Sequence, residues 1–208
     1  MAVHWISSKK LFELKTNLEI YAHLDGETTE RVIIAAHGFG DNAKNFSHLM
    51  HEFKLKNTLW IFPQGPKEIP MSYGGFQWFS LYENPVREIE KSSEELKGLF
   101  WFLKEELKIS SKCIFYMGFS QGASMALFNG LLTAEPIGGI IALSGFVINQ
   151  AEVLKQKEKL DLDCPIFLAH GNQDQVVFPA FHHESKTLLK YLGFKNILTK
   201  IYQMGHTI

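Results

Sequence analysis

Cysteine is scarce in this chain: Cys113 and Cys164 are the only two among 208 residues. A secreted protein that relied on disulfides would carry more, so a reducing, cytoplasmic compartment is the expectation. Long hydrophobic runs are missing too. None approaches the roughly 18 apolar residues that cross a bilayer, and the opening MAVHWISSKKLFEL has no apolar stretch of the signal-peptide kind. No integral membrane segment is therefore expected. Nor is there an excess of one charge. Lys and Arg number 21 against 22 Asp and Glu, a net charge of -1, whereas a nucleic-acid partner demands a basic face. Metal-ligand spacing is absent, since there is no HExxH and no Cys/His cluster, and the neighbours His182 and His183 would diverge on a helix. Repeats, low-complexity tracts and linkers are missing as well. Residues 1–208 are expected to form one domain, as a monomer or homodimer.

What is present suits a packed core. The composition is 46% hydrophobic, and a chain of this length buries most of the surface that its unfolded form exposes. Short apolar runs alternate with segments of helical period. Arg31–His37, Thr58–Phe62, Lys112–Met117, Gly139–Leu143, Pro165–Ala169 and Asn196–Tyr202 read as strands. Most are continuously apolar, as parallel strands covered on both faces should be. Asn17–His23 reads as an added strand, antiparallel at the edge. Three stripes read as helices: Phe46, Leu49, Met50 and Phe53; Val86 to Leu107, opened by Asn84 as cap with Pro85 behind it; and Phe178 to Leu192, closed by Gly193. This alternation predicts an α/β fold with a mostly parallel central sheet, helices on both faces and no large cap domain.

The segment from Pro63 to Pro85 breaks the rhythm. It is too rich in Pro and Gly for a regular element, yet it carries Tyr73, Phe76, Trp78, Phe79 and Tyr82. A loop of this length inside a domain is either functional or disordered, and so many aromatics argue that it folds over something.

Gly118-Phe119-Ser120-Gln121-Gly122 lies between an apolar strand and a helix-compatible run, the context of a nucleophile elbow. A serine on such a turn is lifted above the sheet edge, and Gly118 and Gly122 leave room for it. The amide of Gln121 then stands at a helix N-terminus, where it can meet a developing oxyanion. A serine hydroxyl needs a base, and in this arrangement an acid and then a histidine follow on loops after later strands. Asp174 follows the run ending at Ala169, and His206 follows the run ending at Tyr202. Asp161 and Asp163 precede their strand and would sit at the wrong edge. Asp174 would steady the imidazole of His206, which would shuttle the proton of Ser120. The second oxyanion donor is expected in His37-Gly38-Phe39-Gly40-Asp41, at the amide of Phe39, with His37 bracing the loop rather than reacting.

Read together, HGFGD at 37–41, FPQGP at 62–66, QWFSL at 77–81, GFSQG at 118–122, ALSG at 142–145, HGNQDQVV at 170–177 and MGH at 204–206 resemble the phospholipase/carboxylesterase family of α/β-hydrolases, which includes the acyl-protein thioesterases. The resemblance implies Ser120, Asp174 and His206 as a catalytic triad, with the amides of Phe39 and Gln121 as the oxyanion hole and no cofactor. It also implies an acyl pocket beside the 63–85 segment, and Phe76, Trp78, Phe79 and Phe146 are the candidate lining residues. Two departures stand out. Family members continue past the histidine into a last helix, whereas this sequence stops at Ile208; the expectation is either a shortened chain, in which an apolar sheet face would lie open, or a naturally short form. QWFSL also has serine where many thioesterase relatives have aspartate. The expectation is therefore a carboxylesterase or lysophospholipase acting on a small acyl ester or lipid-like substrate. An acyl-protein thioesterase, a peptidase and a non-catalytic binding module descended from an esterase are the rivals.

Overall fold

The computed structural model describes residues 4–6, 18–82 and 84–208. The chain enters through β1 (His4–Ile6), β2 (Ile20–Asp25) and β3 (Arg31–Ala36). A single helical turn α1 (Ala43–Phe46) and a 3-10 turn (Ser47–Glu52) lead to β4 (Thr58–Pro63). The short strands β5 (Lys67–Glu68) and β6 (Phe76–Gln77) come next. Then follow α2 (Pro85–Glu105), β7 (Ile114–Phe119), α3 (Gln121–Leu131), β8 (Gly139–Leu143), α4 (Gln150–Lys155), β9 (Ile166–Gly171), α5 (Pro179–Leu192) and β10 (Ile197–Tyr202).

Eight strands form one sheet in the order β1-β2-β4-β3-β7-β8-β9-β10. From β4 to β10 every pairing is parallel; β2 joins β4 antiparallel, and β1 joins β2 the same way. The expected added strand is therefore present and antiparallel, but β1 lies outside it. Asn17, where the sequence reading began that strand, is outside the described residues. The order reverses at β3, since the chain steps from β3 to β4 on one side and later returns to β7 on the other. Such a reversal opens a crevice at the carboxyl ends of the two diverging strands.

The apolar strands alternate between two covered faces. Val32, Ile34, Ile61, Ile114, Tyr116, Ile140, Ala142, Ile166 and Leu168 pack with Leu96, Leu99, Phe100 and Leu103 of α2, most of α3, Val153 of α4 and Leu189 of α5. Ile33, Ala35, Trp60, Phe62 and Met117 face the other way, onto Ala43, Phe46 and Met50. Helices therefore lie on both faces, but unequally. Beyond the 3-10 turn, Phe53, Ile141, Leu143, Phe167, Ala169, Tyr202, Met204 and Ile208 line an open apolar groove over β8 to β10.

Three helix expectations need correction. The Phe46–Phe53 stripe is one α turn followed by a 3-10 turn, because the Ser47 hydroxyl bonds back to the Lys44 carbonyl and competes with the helical ladder. Asn84 does not cap α2 with its side chain; it takes a left-handed conformation at φ 42°, one that asparagine tolerates better than most residues. Phe178 remains exposed, and the buried stripe of α5 is His182, Ser185 and Leu189. Ser185 fits there because its hydroxyl donates to the Phe181 carbonyl and accepts from the Val147 amide. Gly193 does close α5, at φ 95°.

Candidate active site

Ser120 follows β7 at the crevice with φ 55° and ψ -119°. That region is costly for any residue with a side chain and is retained only where the surroundings enforce it. The enforcement is visible. The Ser120 amide donates to the Leu143 carbonyl at 2.8 Å, and the Ser124 amide donates to the Ser120 carbonyl at 3.1 Å to start α3. Gly118 and Gly122 are required because the chain passes too close for a side chain. A Cβ on Gly118 would lie 2.3 Å from the backbone of Gly122, and one on Gly122 would lie 2.1 Å from the Ala36 carbonyl oxygen.

The three side chains singled out from sequence come together. Ser120 Oγ lies 2.9 Å from His206 Nε2, and His206 Nδ1 lies 2.7 Å from Asp174 Oδ2. Asp161 and Asp163 lie ahead of β9, away from this end of the sheet, and Asp163 pairs with Lys195. Asp174 is buried, and its other oxygen accepts the Val176 and Val177 amides at 2.9 Å each. Burial alone would raise its carboxyl. The hydrogen bonds from His206, Val177 and Val176 outweigh that effect and hold it below the usual carboxylate range. The His206 ring also packs on Phe119, with centroids 4.8 Å apart. The chain can approach here because position 171 is glycine: a Cβ there would lie 2.3 Å from the Met204 carbonyl oxygen and 2.5 Å from that of Gly205.

One buried group behind the acid was not singled out in the sequence. His170, wholly enclosed, has its Nε2 at 2.8 Å from the Val177 carbonyl and 3.4 Å from Asp174 Oδ2. A carbonyl only accepts, so Nε2 carries the proton and the ring fastens both ends of the acid's turn. A histidine inside an otherwise apolar strand run was the available signal. His182 packs edge-on against His170. Burial, with His170, His183 and Lys186 nearby, lowers its pKa to about 4.

The loop after β3 meets the elbow closely, since a Cβ on Gly38 would lie 3.5 Å from that of Ser120. Among the described residues the Phe39 amide donates to no backbone carbonyl. The Gln121 amide is the first of α3, where a helix has no internal acceptor to offer. Both amides are thus available at the crevice. His37 braces the loop: its Nδ1 donates to the Gly38 carbonyl at 2.7 Å, and its Nε2 accepts the Gly65 amide at 2.9 Å. Burial lowers its pKa, against the opposing effects of the Gly38 carbonyl and Asp41.

The 63–85 segment is organised rather than structureless; Glu83 alone in it lies outside the described residues. Its β5–β6 hairpin continues into a bridge between Phe76 and Asp41. The four candidate pocket aromatics divide. Trp78 and Phe79 are buried in the main core. Phe76 and Phe146 keep part of their surface, and Phe146 stacks on Phe181. Phe39 is 44% exposed at the mouth. Among the described residues no group of His, Cys, Asp or Glu is arranged to hold a metal ion, and no helix is long and apolar enough to cross a membrane.

A mostly parallel sheet with a serine on a strained strand-to-helix turn and a histidine at hydrogen-bond distance defines a hydrolase of the α/β-hydrolase fold. Residues 20–208 match the phospholipase/carboxylesterase family, and the chain belongs to it. Its relatives include acyl-protein thioesterase 1 of Candida albicans, 34% identical over 198 residues that cover 86% of this chain and 85% of the relative. The protein of the same name from Debaryomyces hansenii is 33% identical over 190 residues, covering 82% and 81%. Among solved structures, esterase PE8 superimposes with a TM-score of 0.81 over 92% of each chain at 24% identity, a likeness of fold. Acyl-protein thioesterase 2 of Zea mays superimposes with a TM-score of 0.70 at 25% identity, covering 91% of this chain and 92% of that one.

Proposed function

We propose that the protein hydrolyses carboxylic esters of small acyl or lipid-like substrates, with Ser120 as nucleophile, His206 as general base and acid, and Asp174 as its orienting partner. The observation that carries this reading is the continuous path from Ser120 Oγ through His206 to the buried Asp174 carboxylate, at 2.9 and 2.7 Å.

The acyl carbonyl enters the crevice with its oxygen toward the amides of Phe39 and Gln121. Ser120 Oγ attacks the carbon while its proton passes to His206 Nε2. The imidazolium so formed is steadied by Asp174, and the tetrahedral oxyanion is held by the two amides. Collapse expels the alcohol, which takes the proton from Nε2, and leaves an acyl-Ser120 ester. Water then repeats the sequence with His206 as base, releasing the carboxylic acid and free serine. No cofactor enters this cycle.

Thioester hydrolysis is the second reading, favoured by two relatives at 33–34% identity that carry the name acyl-protein thioesterase 1. Both readings share the acyl-enzyme and differ in the leaving group. The test is turnover of p-nitrophenyl esters from acetate to palmitate beside matched acyl thioesters, with wild type and Ser120→Ala. Loss of the serine should cost several orders of magnitude on every substrate turned over. Activity on esters over thioesters supports the first reading, and the reverse order supports the second. A folded wild type that turns over neither class, and whose Ser120 does not react with an organophosphonate, sinks both.

A further inference from the structure

The polar groups of residues 76–79, the inner turn of the 63–85 segment, find few partners in their own loop. The Phe76 amide donates to the Asp41 carbonyl, and the Phe76 carbonyl accepts from Gly40, at 2.8 and 2.9 Å. The Trp78 indole N–H donates to the His37 carbonyl at 2.9 Å. All three partners thus belong to the loop that carries the Phe39 amide. The remaining attachments go elsewhere. The Trp78 carbonyl accepts from the Ser92 hydroxyl of α2, and the Trp78 amide donates to Gln121 Oε1 at 2.8 Å. Gln121 Nε2 in turn donates to the Phe79 carbonyl at 2.8 Å.

A side-chain amide has one accepting and one donating end, and here each end is used. It completes the backbone of Trp78 and Phe79 as a neighbouring strand would. Gln121 is buried, so neither backbone group could turn to water if the side chain were removed. The residue therefore has two separate duties. Its own amide stands at the crevice beside Ser120, while its side chain is bonded to the backbone of Trp78 and Phe79.

We infer that the Gln121 side chain is a positioning residue that fixes the 76–79 turn, and with it the acyl-side wall, relative to the oxyanion hole, so that it sets acyl-chain preference. The inference rests on the acyl-hydrolase reading above. A short acyl group needs only Ser120 and the two amides, whereas a long one must also find the wall in register. Misplacing that wall should weaken long-chain binding most.

The experiment compares wild type with Gln121→Met, which keeps length and flexibility but removes both hydrogen bonds. The Trp78 amide and Phe79 carbonyl are then buried without partners. The kcat/KM ratio of octanoate to acetate ester should fall about tenfold or more, mainly through KM for octanoate, while acetate turnover falls by less. Hydrogen exchange at the Trp78 amide should quicken by a similar factor, ahead of exchange in the β7 core. An equal fall for both esters with KM unchanged, or an unaltered ratio, would overturn the assignment. So would unchanged protection of the Trp78 amide. Should wild type turn over no ester at all, the esterase reading fails, and the exchange result still decides whether the side chain holds the turn.

Gln121→Glu guards against a Met variant that does not fold. A protonated carboxyl can accept from Trp78 and donate to Phe79; a carboxylate can only accept. Burial raises the pKa of such a carboxyl, so activity relative to wild type should climb several-fold from about pH 8 to about pH 6. A flat ratio across that range counts against the clamp.

Discussion

His206 Nε2 lies 2.9 Å from Ser120 Oγ across 86 residues of sequence, and the approach depends on Gly171, whose hydrogen faces the carbonyls of Met204 and Gly205. The strand β10 sits parallel to β9 with Tyr202 opposite Gly171. The residues just beyond it fold back over that glycine, and the Gln173 amide donates to the Met204 carbonyl at 3.0 Å. The position of His206 is thus set by contacts between two loops.

Gly171→Ala tests that dependence. The added methyl would stand 2.3 Å from a backbone oxygen, so the 203–206 segment must shift. A displacement of about 1 Å at a catalytic group costs on the order of 100-fold in rate. Esterase kinetics should show that loss in kcat with little change in KM. Near wild-type kcat would mean that the loop accommodates the methyl without moving His206.

Asp174→Asn should be more damaging than its small chemical change suggests. The Val176 and Val177 amides can still be accepted by the Asn oxygen, so the turn should persist. The amide NH2 then faces His206 Nδ1 and favours the tautomer with Nε2 protonated, which cannot take the Ser120 proton. The expected fall in kcat is about 10⁴-fold, with the thermal midpoint changed by only a few degrees. The check is the pair of measurements on one preparation.

His37→Phe should loosen the oxyanion loop. It removes the acceptor of the buried Gly65 amide and the donor to the Gly38 carbonyl. Leaving such a group unpaired costs about 1–3 kcal/mol. Urea denaturation should show that loss, and ester turnover should fall through kcat because the Phe39 amide is no longer braced.

Acid should destabilise the fold well above the carboxylate range. His182 is neutral when folded, with a pKa lowered to about 4, and His37 is lowered as well. Unfolded histidines titrate near about 6.5. Between about 6.5 and about 4 the unfolded chain therefore binds more protons at His182 than the folded one, and His37 acts in the same direction. Stability contributed by these rings is complete above about pH 6.5 and falls as pH drops below it, with a limiting slope of about 1.4 kcal/mol per pH unit for His182 inside that window. Urea midpoints at stepped pH should trace this decline, and His182→Gln should make it shallower. An identical pH dependence in that variant would show that His182 does not contribute.

Much of this protein is legible one residue at a time. Six apolar runs became β3, β4 and β7 to β10, because strands covered on both faces need apolar side chains at every position. The elbow was legible because few residue patterns fit a turn that tight. Ser120, Asp174 and His206 were nameable because each lies just past such a run, at the strand end where the crevice forms. What the string of letters left open was decided by packing between distant segments. Trp78 and Phe79 look like pocket aromatics in a Gly-rich loop, yet they are core residues, since the hairpin turns that part of the loop inward onto α2. Phe46–Phe53 has a helical stripe, but a serine hydroxyl diverts its backbone. The second duty of Gln121 had no local signal, because its partners lie 42 and 43 residues away. Periodicity and short-range sterics were enough to read the strands, the elbow and the order in which Ser120, Asp174 and His206 follow it. Only packing between distant segments settles which loop aromatics are buried and which buried polar side chains brace the 37–41 and 76–79 loops, because those hydrogen bonds join residues that only the completed sheet brings together.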